Sequence, residues 1–213
     1  KEMNNGAQSI LSLFTDEPSP VPLKLGLMRS LGAKRMSHLL KSLSEQIEHL
    51  ELTLVEPQEA CDARIVLASS VEQNENFIPI WQDEYRLGVP FQWAIAHKKH
   101  INLDELNNMP FIHRSPCDIQ EKLRSTMTHQ GFHFQTRANI RTIEYAHELV
   151  CAGIGATLLP HWREFQQDKR LSLLEINGMK LIKNIGLAYK KQIEQSPKIK
   201  DIIHVCQGET ITG

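Results

Sequence analysis

The sequence predicts an α/β fold whose parallel sheets are covered by helices. Short segments that are apolar throughout, or that alternate between apolar and polar residues, recur along the chain as β-strands do. Between them lie amphipathic segments with apolar residues three and four positions apart, the spacing of one helix face. Strands that alternate with helices form parallel sheets, which bind ligands at the carboxyl ends of their strands. With 41% hydrophobic residues, the chain has ample material for a packed core.

The first half is predicted to contain a linker, five strands and one helix. Residues 1–14 have the pattern of the end of a helix, and the three prolines between residues 15 and 22 indicate a stiff linker. The strands lie at 23–28, 50–55, 63–68, 77–81 and 85–89. The helix spans 33–48, and its apolar face consists of Met36, Leu39, Leu40, Leu43 and Ile47.

The second half is predicted to continue the alternation. A helix over 116–130 has Ser115 as its N-cap, Pro116 in its first turn and Gly131 as its stop. The other helices lie at 103–107, 142–152 and 197–206, and the strands at 110–113, 132–140, 156–159, 171–176 and 185–189. No internal repeat is apparent.

Arginine and hydroxyl residues follow three of the predicted strands, directly ahead of helices. The pairs are Arg29-Ser30, Arg114-Ser115 and Arg141-Thr142, and the strand at 63–68 ends in Ser69-Ser70. Each hydroxyl can cap the following helix, whose free N–H groups and dipole attract anions. Each arginine adds a permanent charge and a planar fork suited to carboxylate, phosphate or sulfate. The sequence therefore predicts a site for a small anion where these strand ends converge.

Several other classes of function find no support in the composition. The net charge is −1 and no basic stripe is present, so this chain by itself is not expected to bind a nucleic-acid backbone. No apolar run approaches the length of a membrane span, and no signal peptide is visible. The four cysteines are widely spaced, which indicates reduced thiols and a cytoplasmic location.

The side chains that most often perform chemistry give few further candidates. Cys117 is predicted in the first turn of a helix, where a thiol can become reactive, so it is a candidate redox group. The ten histidines show no partner at metal-ligand spacing, so we expect no metal and no cofactor. Paired carboxylates, nucleophile motifs and phosphate-binding loops are absent, so we expect no enzyme activity.

The order of these segments resembles the effector-binding domain of the LysR-type transcription regulators. Residues 21–28, 33–48 and 50–55 are similar to its opening, and DARIVLA at 62–68 is similar to its third strand. Residues 77–90 resemble the segment that crosses between the two lobes of that domain. Residues 101–112 resemble the short helix and the strand that follow it. The most specific part is ELVCAGIGATLLP at 148–160, a helix running into Ala-Gly, a further Gly, and an apolar strand that ends in Pro. The resemblance covers residues 21–206.

The resemblance implies two Rossmann-like lobes of the type II periplasmic-binding-protein fold. The chain would cross between lobes near 82–86 and 186–190, giving lobe I as 21–83 with 189–213 and lobe II as 84–188. A small effector would bind between the lobes at the arginine and hydroxyl residues above. Family members usually place a helix between the second and third strands, but only residues 56–62 lie there in this chain.

The resemblance also implies partners. Residues 1–20 would be the tail of a linker helix and its linker, and the winged helix-turn-helix that binds DNA would be absent from this chain. The protein would be a homodimer or homotetramer, without a membrane partner. Two alternatives share the fold: a periplasmic solute-binding protein of a transporter, which would use the same cleft, and an enzyme.

Overall fold

The computed structural model describes residues 19–209, so the predicted helix tail at 1–14 and most of the linker lie outside the described residues. The strands are β1 (Val21–Leu27), β2 (Leu50–Val55), β3 (Ala63–Leu67), β4 (Glu75–Pro90), β5 (His100–Ile101), β6 (Pro110–Arg114), β7 (Gln135–Ile140), β8 (Thr157–Pro160), β9 (Leu171–Ile176) and β10 (Ile182–Lys190). The helices are α1 (Ala33–Gln46), α2 (Asp118–His129), α3 (Ile143–Cys151), α4 (Arg163–Gln166) and α5 (Pro197–Glu209). Single 3₁₀ turns lie at Ala68–Ser70, Ala94–His97, Asp104–Leu106 and Lys191–Ile193.

The strands follow the order β2-β1-β3-β10-β4-β9-β5, with β8 also paired to β4. β1 is parallel to β2 and β3, so the loops that leave β1 and β3 lie at the same edge of the sheet. β6 and β7 form a second parallel pair, and backbone hydrogen bonds of Ala156 with Pro110 and Ile112 place β6 beside β8. The loops that leave β6 and β7 therefore also share one edge.

A first hydrophobic core lies between the sheet and helices α1 and α5. α1 is amphipathic, and its buried residues are Met36, Leu39 and Leu43, as its spacing predicts. They pack with Leu23 and Leu25 of β1 and with residues of β3, β10 and α5. This core contains no residue between Tyr85 and Leu181.

The segment between those two residues forms two further hydrophobic clusters. One is built around Leu87, Leu106, Phe111 and Leu123, and the other joins β6 to α3 and α4 through Ile112, Val150 and Phe165. The described residues thus form two lobes, which β4 and β10 connect.

β4 is the strand that passes from one lobe to the other. Phe77–Trp81 and Tyr85–Val89, predicted as separate strands, are one strand of 16 residues. Its first part pairs with β10, and its last part pairs with β8 and β9. Along β4, Ile80 belongs to the core of the first lobe and Tyr85 to a cluster of the second. At β10, Leu181 belongs to the second lobe and Ile185 to the first, so the chain returns a few residues before the predicted second crossing. The predicted limits of the lobes remain a proposal.

Arg35 of α1 contacts residues of both lobes next to the point where β4 passes from one lobe to the other. Its two terminal nitrogens each donate to one carboxylate oxygen of Asp83 at 2.8 Å, and its guanidinium lies between the rings of Trp81 and Trp162, at 4.4 and 4.7 Å. Trp162 Nε1 donates to the same carboxylate at 3.0 Å. Gly32 adopts φ 80°, and a Cβ there would lie 2.7 Å from the Trp162 ring, so this close approach requires glycine. We call Arg35, Asp83 and Trp162 the interlobe latch.

Most other predicted elements are present and differ only at their ends, whereas β5 and α4 were not predicted and the predicted helix at 103–107 is a 3₁₀ turn. α2 begins at Asp118 rather than at residue 116, and β7 begins at Gln135 rather than at 132. Residues 56–62 form turns and no helix, as their number predicts. Across residues 19–209 no helix combines the length and the apolar character that crossing a membrane requires.

Candidate functional site

Arg114 and Ser30, two of the predicted ligand-binding residues, meet across the gap between the lobes. Ser30 follows β1 of the first lobe, and Arg114 ends β6 of the second. Arg114 Nη1 donates a hydrogen bond of 2.9 Å to Ser30 Oγ. Ser30 has φ 66°, a left-handed conformation that is uncommon for a residue with a side chain. The loops after β1 and β6 are therefore in contact where the sequence predicts the ligand.

Arg114 is fully buried and only partly paired. Its Nη2 donates to Cys117 Sγ at 3.1 Å, while its Nε has no hydrogen-bond partner. Among residues 19–209 the guanidinium makes no ion pair, since its contacts are a hydroxyl, a thiol and, at 6.0 Å, the ring of Tyr85. Burial of a charge without a counter-charge is costly. The arrangement therefore favours an anion at this position.

Lys183 of β10 adds a second buried cation to the same cluster. Its Nζ lies 2.5 Å from Asp118 Oδ1, 4.0 Å from Cys117 Sγ and 5.4 Å from the centre of the Tyr85 ring. The Lys183 side chain is 4% exposed, whereas Asp118 is 54% exposed and so is well solvated. Burial raises the pKa of Tyr85 far above its usual value, which keeps its hydroxyl neutral.

Gln120 holds the backbone at Arg114 in place. Gln120 Oε1 accepts from the backbone N–H of Arg114 at 2.7 Å, and Gln120 Nε2 donates to Thr157 Oγ1 at 2.7 Å. Thr157 in turn donates to the Ile112 carbonyl. This buried chain joins α2, β6 and β8, so it fixes the direction in which the Arg114 side chain leaves the strand.

The remaining predicted residues of the first lobe lie at the surface. Arg29 forms an ion pair of 3.2 Å with Glu56, and both side chains are about half exposed. Ser69 and Ser70 occupy an exposed 3₁₀ turn after β3, and the Ser70 carbonyl accepts from Arg64. β1 and β3 are neighbours, so these residues share an edge with Ser30, but Arg29 is held toward Glu56.

In the second lobe, the loops after β6 and β7 lie side by side. The Ser115 backbone N–H donates to the Ile140 carbonyl at 3.0 Å, which brings Ser115 next to Arg141 and Thr142. Arg141 is exposed, and Thr142 caps α3 by accepting from the Tyr145 backbone N–H at 3.2 Å. The structure thus brings the two predicted pairs of this lobe to one edge.

Two of the three predicted helix caps are wrong. The N-cap of α1 is Gly32, because Ser30 turns its hydroxyl to Arg114 and the buried Leu31 lies between Ser30 and the helix. The N-cap of α2 is Cys117, because Ser115 still pairs with the end of β7. Only Thr142 caps its helix as predicted.

The sequence prediction missed Lys183, Gln120 and Tyr85. Lys183 and Gln120 were detectable as polar residues within otherwise apolar patterns: Lys183 lies on a strand that is mostly buried, and Gln120 on the buried face of α2. Tyr85 carried no such signal. A large cavity of 1170 Å³ lies beside the interlobe latch, between α1, the middle of β4 and residues 161–164, and none of the predicted site residues lines it.

The family model for the LysR substrate binding domain matches residues 20–210 of this chain. The chain belongs to this family. The uncharacterized HTH-type transcriptional regulator YybE of Bacillus subtilis (strain 168) is 21% identical over 212 residues, covering 92% of this chain and 70% of YybE. The family is thus one of transcription regulators.

Solved LysR-type domains share the fold. The CcmR regulatory domain of Synechocystis PCC6803, in complex with 2-PG, superposes with a TM-score of 0.75 at 15% identity over 89% of this chain and 97% of that one. The effector-binding domain of QuiR, in complex with shikimate, superposes with a TM-score of 0.72 at 17% identity, over 91% of this chain and 99% of that one. The predicted two-lobed, periplasmic-binding-protein-like α/β fold is confirmed. The chain is the effector-binding domain of a LysR-type regulator, which favours this prediction over a transporter's solute-binding protein.

Proposed function

We propose that this LysR-type domain senses a small organic anion, which binds between the lobes against Arg114. The proposal rests on one observation, a fully buried guanidinium that makes no ion pair within residues 19–209 and keeps one N–H unpaired. A ligand carboxylate, phosphate or sulfonate would supply the missing charge and hydrogen bond. Lys183 lies in the same cluster as a second cation, and its pair with the exposed Asp118 can be exchanged for the ligand because exposed ion pairs are weak.

The Arg114–Ser30 hydrogen bond suggests how binding changes the lobes. This contact joins the lobes directly, and a ligand oxygen that accepts from Arg114 Nη1 would take the place of Ser30 Oγ. Ser30 would then donate to the ligand or release the first lobe. The anion would therefore bind the two interlobe arrangements with unequal affinity, which is the requirement for a regulatory signal.

We propose that the other predicted residues form the rim of this site. Ser69 and Ser70 would donate from the first lobe, and Ser115, Arg141 and Thr142 from the second. Arg29 would contribute by exchanging Glu56 for the ligand, because exposed ion pairs are weak and readily exchanged. QuiR, which shares the fold, binds shikimate, a carboxylate.

LysR-type regulators bind small effectors and DNA. We propose that this regulator acts in the cytoplasm as a homodimer or homotetramer, whose DNA binding changes when the anion shifts the lobes. The domain would have no enzymatic activity of its own.

Calorimetry with small carboxylates, phosphates and sulfonates would test the anion site. We expect at least one of them to bind, and Arg114→Met to weaken that binding about 10- to 100-fold, the effect of losing one or two hydrogen bonds to a charged group. Arg124→Ala, which removes an exposed arginine of the neighbouring helix, should leave the affinity unchanged.

Two results would contradict the proposal. One is a set of ligands that bind but are neutral or cationic, and the other is an anion that binds Arg114→Met as tightly as the wild type. If Arg114→Met does not fold, Ser30→Ala provides the test, because Ser30 is partly exposed and its hydroxyl contacts Arg114. We expect the removal of this interlobe contact to change the anion affinity by several-fold.

Cys117 supports a second candidate function, the sensing of an oxidant. Its Sγ is buried between Arg114 and Lys183, at 3.1 and 4.0 Å, and two cations would stabilise a sulfur anion. A peroxide would convert the thiol to a sulfenic acid with release of water. Mass spectrometry after peroxide treatment would detect this product, and preferential oxidation of the half-buried Cys61 would argue against it.

A further inference from the structure

His147, Cys151 and Asp168 converge outside the interlobe cluster. His147 and Cys151 are four residues apart on α3, so both lie on the same face of this helix, and Asp168 lies in the segment between α4 and β9. His147 Nε2 is 3.0 Å from Asp168 Oδ2 and 3.6 Å from Cys151 Sγ, and the sulfur is 3.7 Å from that oxygen. An imidazole, a thiol and a carboxylate thus bring one ligand atom each to a single point.

These three distances fit the edges of a metal tetrahedron. With ligand distances of about 2.3 Å for sulfur and about 2.0 to 2.1 Å for nitrogen and oxygen, a tetrahedral zinc ion places its sulfur about 3.6 Å from the other two atoms and those two about 3.3 Å apart. The observed separations of 3.6, 3.7 and 3.0 Å differ from these by at most a few tenths of an ångström. A small adjustment of Asp168 would therefore admit the ion.

The surroundings of His147 are those of a metal-bound imidazole. Its other ring nitrogen, Nδ1, lies 3.1 Å from Glu148 Oε1, and its ring stacks on Phe165 with centroids 4.6 Å apart. A carboxylate on the second nitrogen fixes the orientation of a histidine ligand and raises its basicity. The side chains of His147 and Asp168 are 12% and 15% exposed, so the site is sheltered but open to an ion from solvent.

The charges at the cluster suit a divalent cation. Arg170 donates to both Asp168 and Glu148, which leaves one net negative charge among these three side chains. A Cys151 thiolate would make two, and a divalent ion would neutralise them. Binding of a metal ion would release the proton of the Cys151 thiol, because the thiolate is the form that ligates a metal.

We propose that His147 Nε2, Cys151 Sγ and Asp168 Oδ2 bind a zinc ion, with a fourth position left to solvent or another ligand. Glu148 orients His147. Arg170 Nη2 donates to Asp168 Oδ2 at 2.7 Å, so zinc would take this oxygen from Arg170, which would keep its contacts with Glu148 and with Asp168 Oδ1. On binding, the Cys151 sulfur gives its proton to solvent and forms a bond to the ion. The ion would fix the segment before β9 onto α3, and β9 pairs with the strand that joins the two lobes.

Titration of the chelator-treated chain with Co²⁺ and then Zn²⁺ tests this site. We expect Co²⁺ to produce a thiolate-to-metal absorption band in the near ultraviolet that Zn²⁺ abolishes, and Zn²⁺ to raise the thermal unfolding midpoint. Cys151→Ser should remove the band, Asp168→Asn should weaken Zn²⁺ binding, and Glu148→Gln should weaken it about tenfold or more. Cys61→Ser removes a half-buried cysteine outside the cluster and should change nothing.

The proposal is overturned if the wild type shows neither the band nor the shift of the midpoint, or if Cys151→Ser keeps the band. Loss of the band in Cys61→Ser would overturn it as well. If Cys151→Ser does not fold, Asp168→Asn decides, because it preserves the shape of the side chain and removes the charge. Unchanged Zn²⁺ affinity in that variant would then exclude the site.

Discussion

Replacing Arg35 by alanine should destabilise the protein strongly, because Arg35 neutralises a buried carboxylate. The Asp83 side chain is 4% exposed, and Arg35 supplies two hydrogen bonds of 2.8 Å to it. In Arg35→Ala, Trp162 Nε1 would be the one donor to that carboxylate that remains among residues 19–209. Breaking a buried pair by removing one partner costs about 3–5 kcal/mol. The contacts with two tryptophan rings add to this loss.

Urea unfolding followed by tryptophan fluorescence would measure the effect. Trp81 and Trp162 flank Arg35 and report directly on the latch. With a denaturant dependence of about 2–3 kcal/mol/M, the expected loss lowers the midpoint by about 1 to 2.5 M urea. Arg29→Ala is the matched control, because its pair with Glu56 is about half exposed and should contribute less than about 1 kcal/mol.

The reasoning also predicts a rescue. Adding Asp83→Asn to Arg35→Ala removes the unpaired buried charge, so the double variant should regain part of the lost stability. Equal losses in Arg35→Ala and Arg29→Ala would refute the assignment of a strong buried pair. Failure of Asp83→Asn to recover any stability would show that packing, rather than charge, explains the loss.

Two further effects can be measured in the same way. Thr142→Ala should cost about 1 kcal/mol, because the cap on the Tyr145 N–H is lost, whereas Thr126→Ala within α2 should change stability by less than about 0.5 kcal/mol. Burial raises the pKa of Cys206 from 9.0 to about 12, so its contribution to stability is complete below pH 9 and is lost as the pH rises toward 12. Unfolding free energy should therefore fall by about 1 kcal/mol more between pH 8 and pH 10 in the wild type than in Cys206→Ala, and equal slopes would contradict this assignment.

The alternation of strands and helices was predictable because it depends on local periodicity. The apolar face of α1 and the capping of α3 by Thr142 follow from residues a few positions apart. The predicted caps at Ser30 and Ser115 failed because each residue makes a contact that local sequence does not reveal. Ser30 bonds to a residue 84 positions away, and Ser115 bonds to the end of the neighbouring strand.

The same limit applies to the chemistry of the sites. Three arginines looked equivalent in sequence, yet only Arg114 is buried between the lobes, while Arg29 and Arg141 are exposed. The Arg114 guanidinium contacts Ser30 and Tyr85, which come from distant strands and loops. The prediction that no histidine has a partner at metal-ligand spacing overlooked His147 and Cys151, which are four residues apart, while Asp168 reaches them only through the packing of the segment before β9. The sequence patterns therefore predicted which residues follow the strands, but not how deeply each side chain is buried or which residues it contacts.

The latch and the Arg114–Ser30 hydrogen bond both join the lobes, and they differ enough in strength to have different roles. Arg35 of the latch makes a bidentate ion pair with the buried Asp83 and contacts the rings of Trp81 and Trp162, whereas Arg114–Ser30 is one hydrogen bond from a charged donor to a hydroxyl. Such a bond contributes about 1.5–3 kcal/mol, and an anion that replaces the hydroxyl would recover that energy and more. In the latch, Arg35 is already paired with the Asp83 carboxylate, so an anion that replaced this carboxylate would gain no comparable energy. An anionic effector would therefore replace the Ser30 hydroxyl at Arg114 and leave the Arg35–Asp83 contact in place, so Arg35→Ala should lower stability, and Ser30→Ala should chiefly change effector affinity.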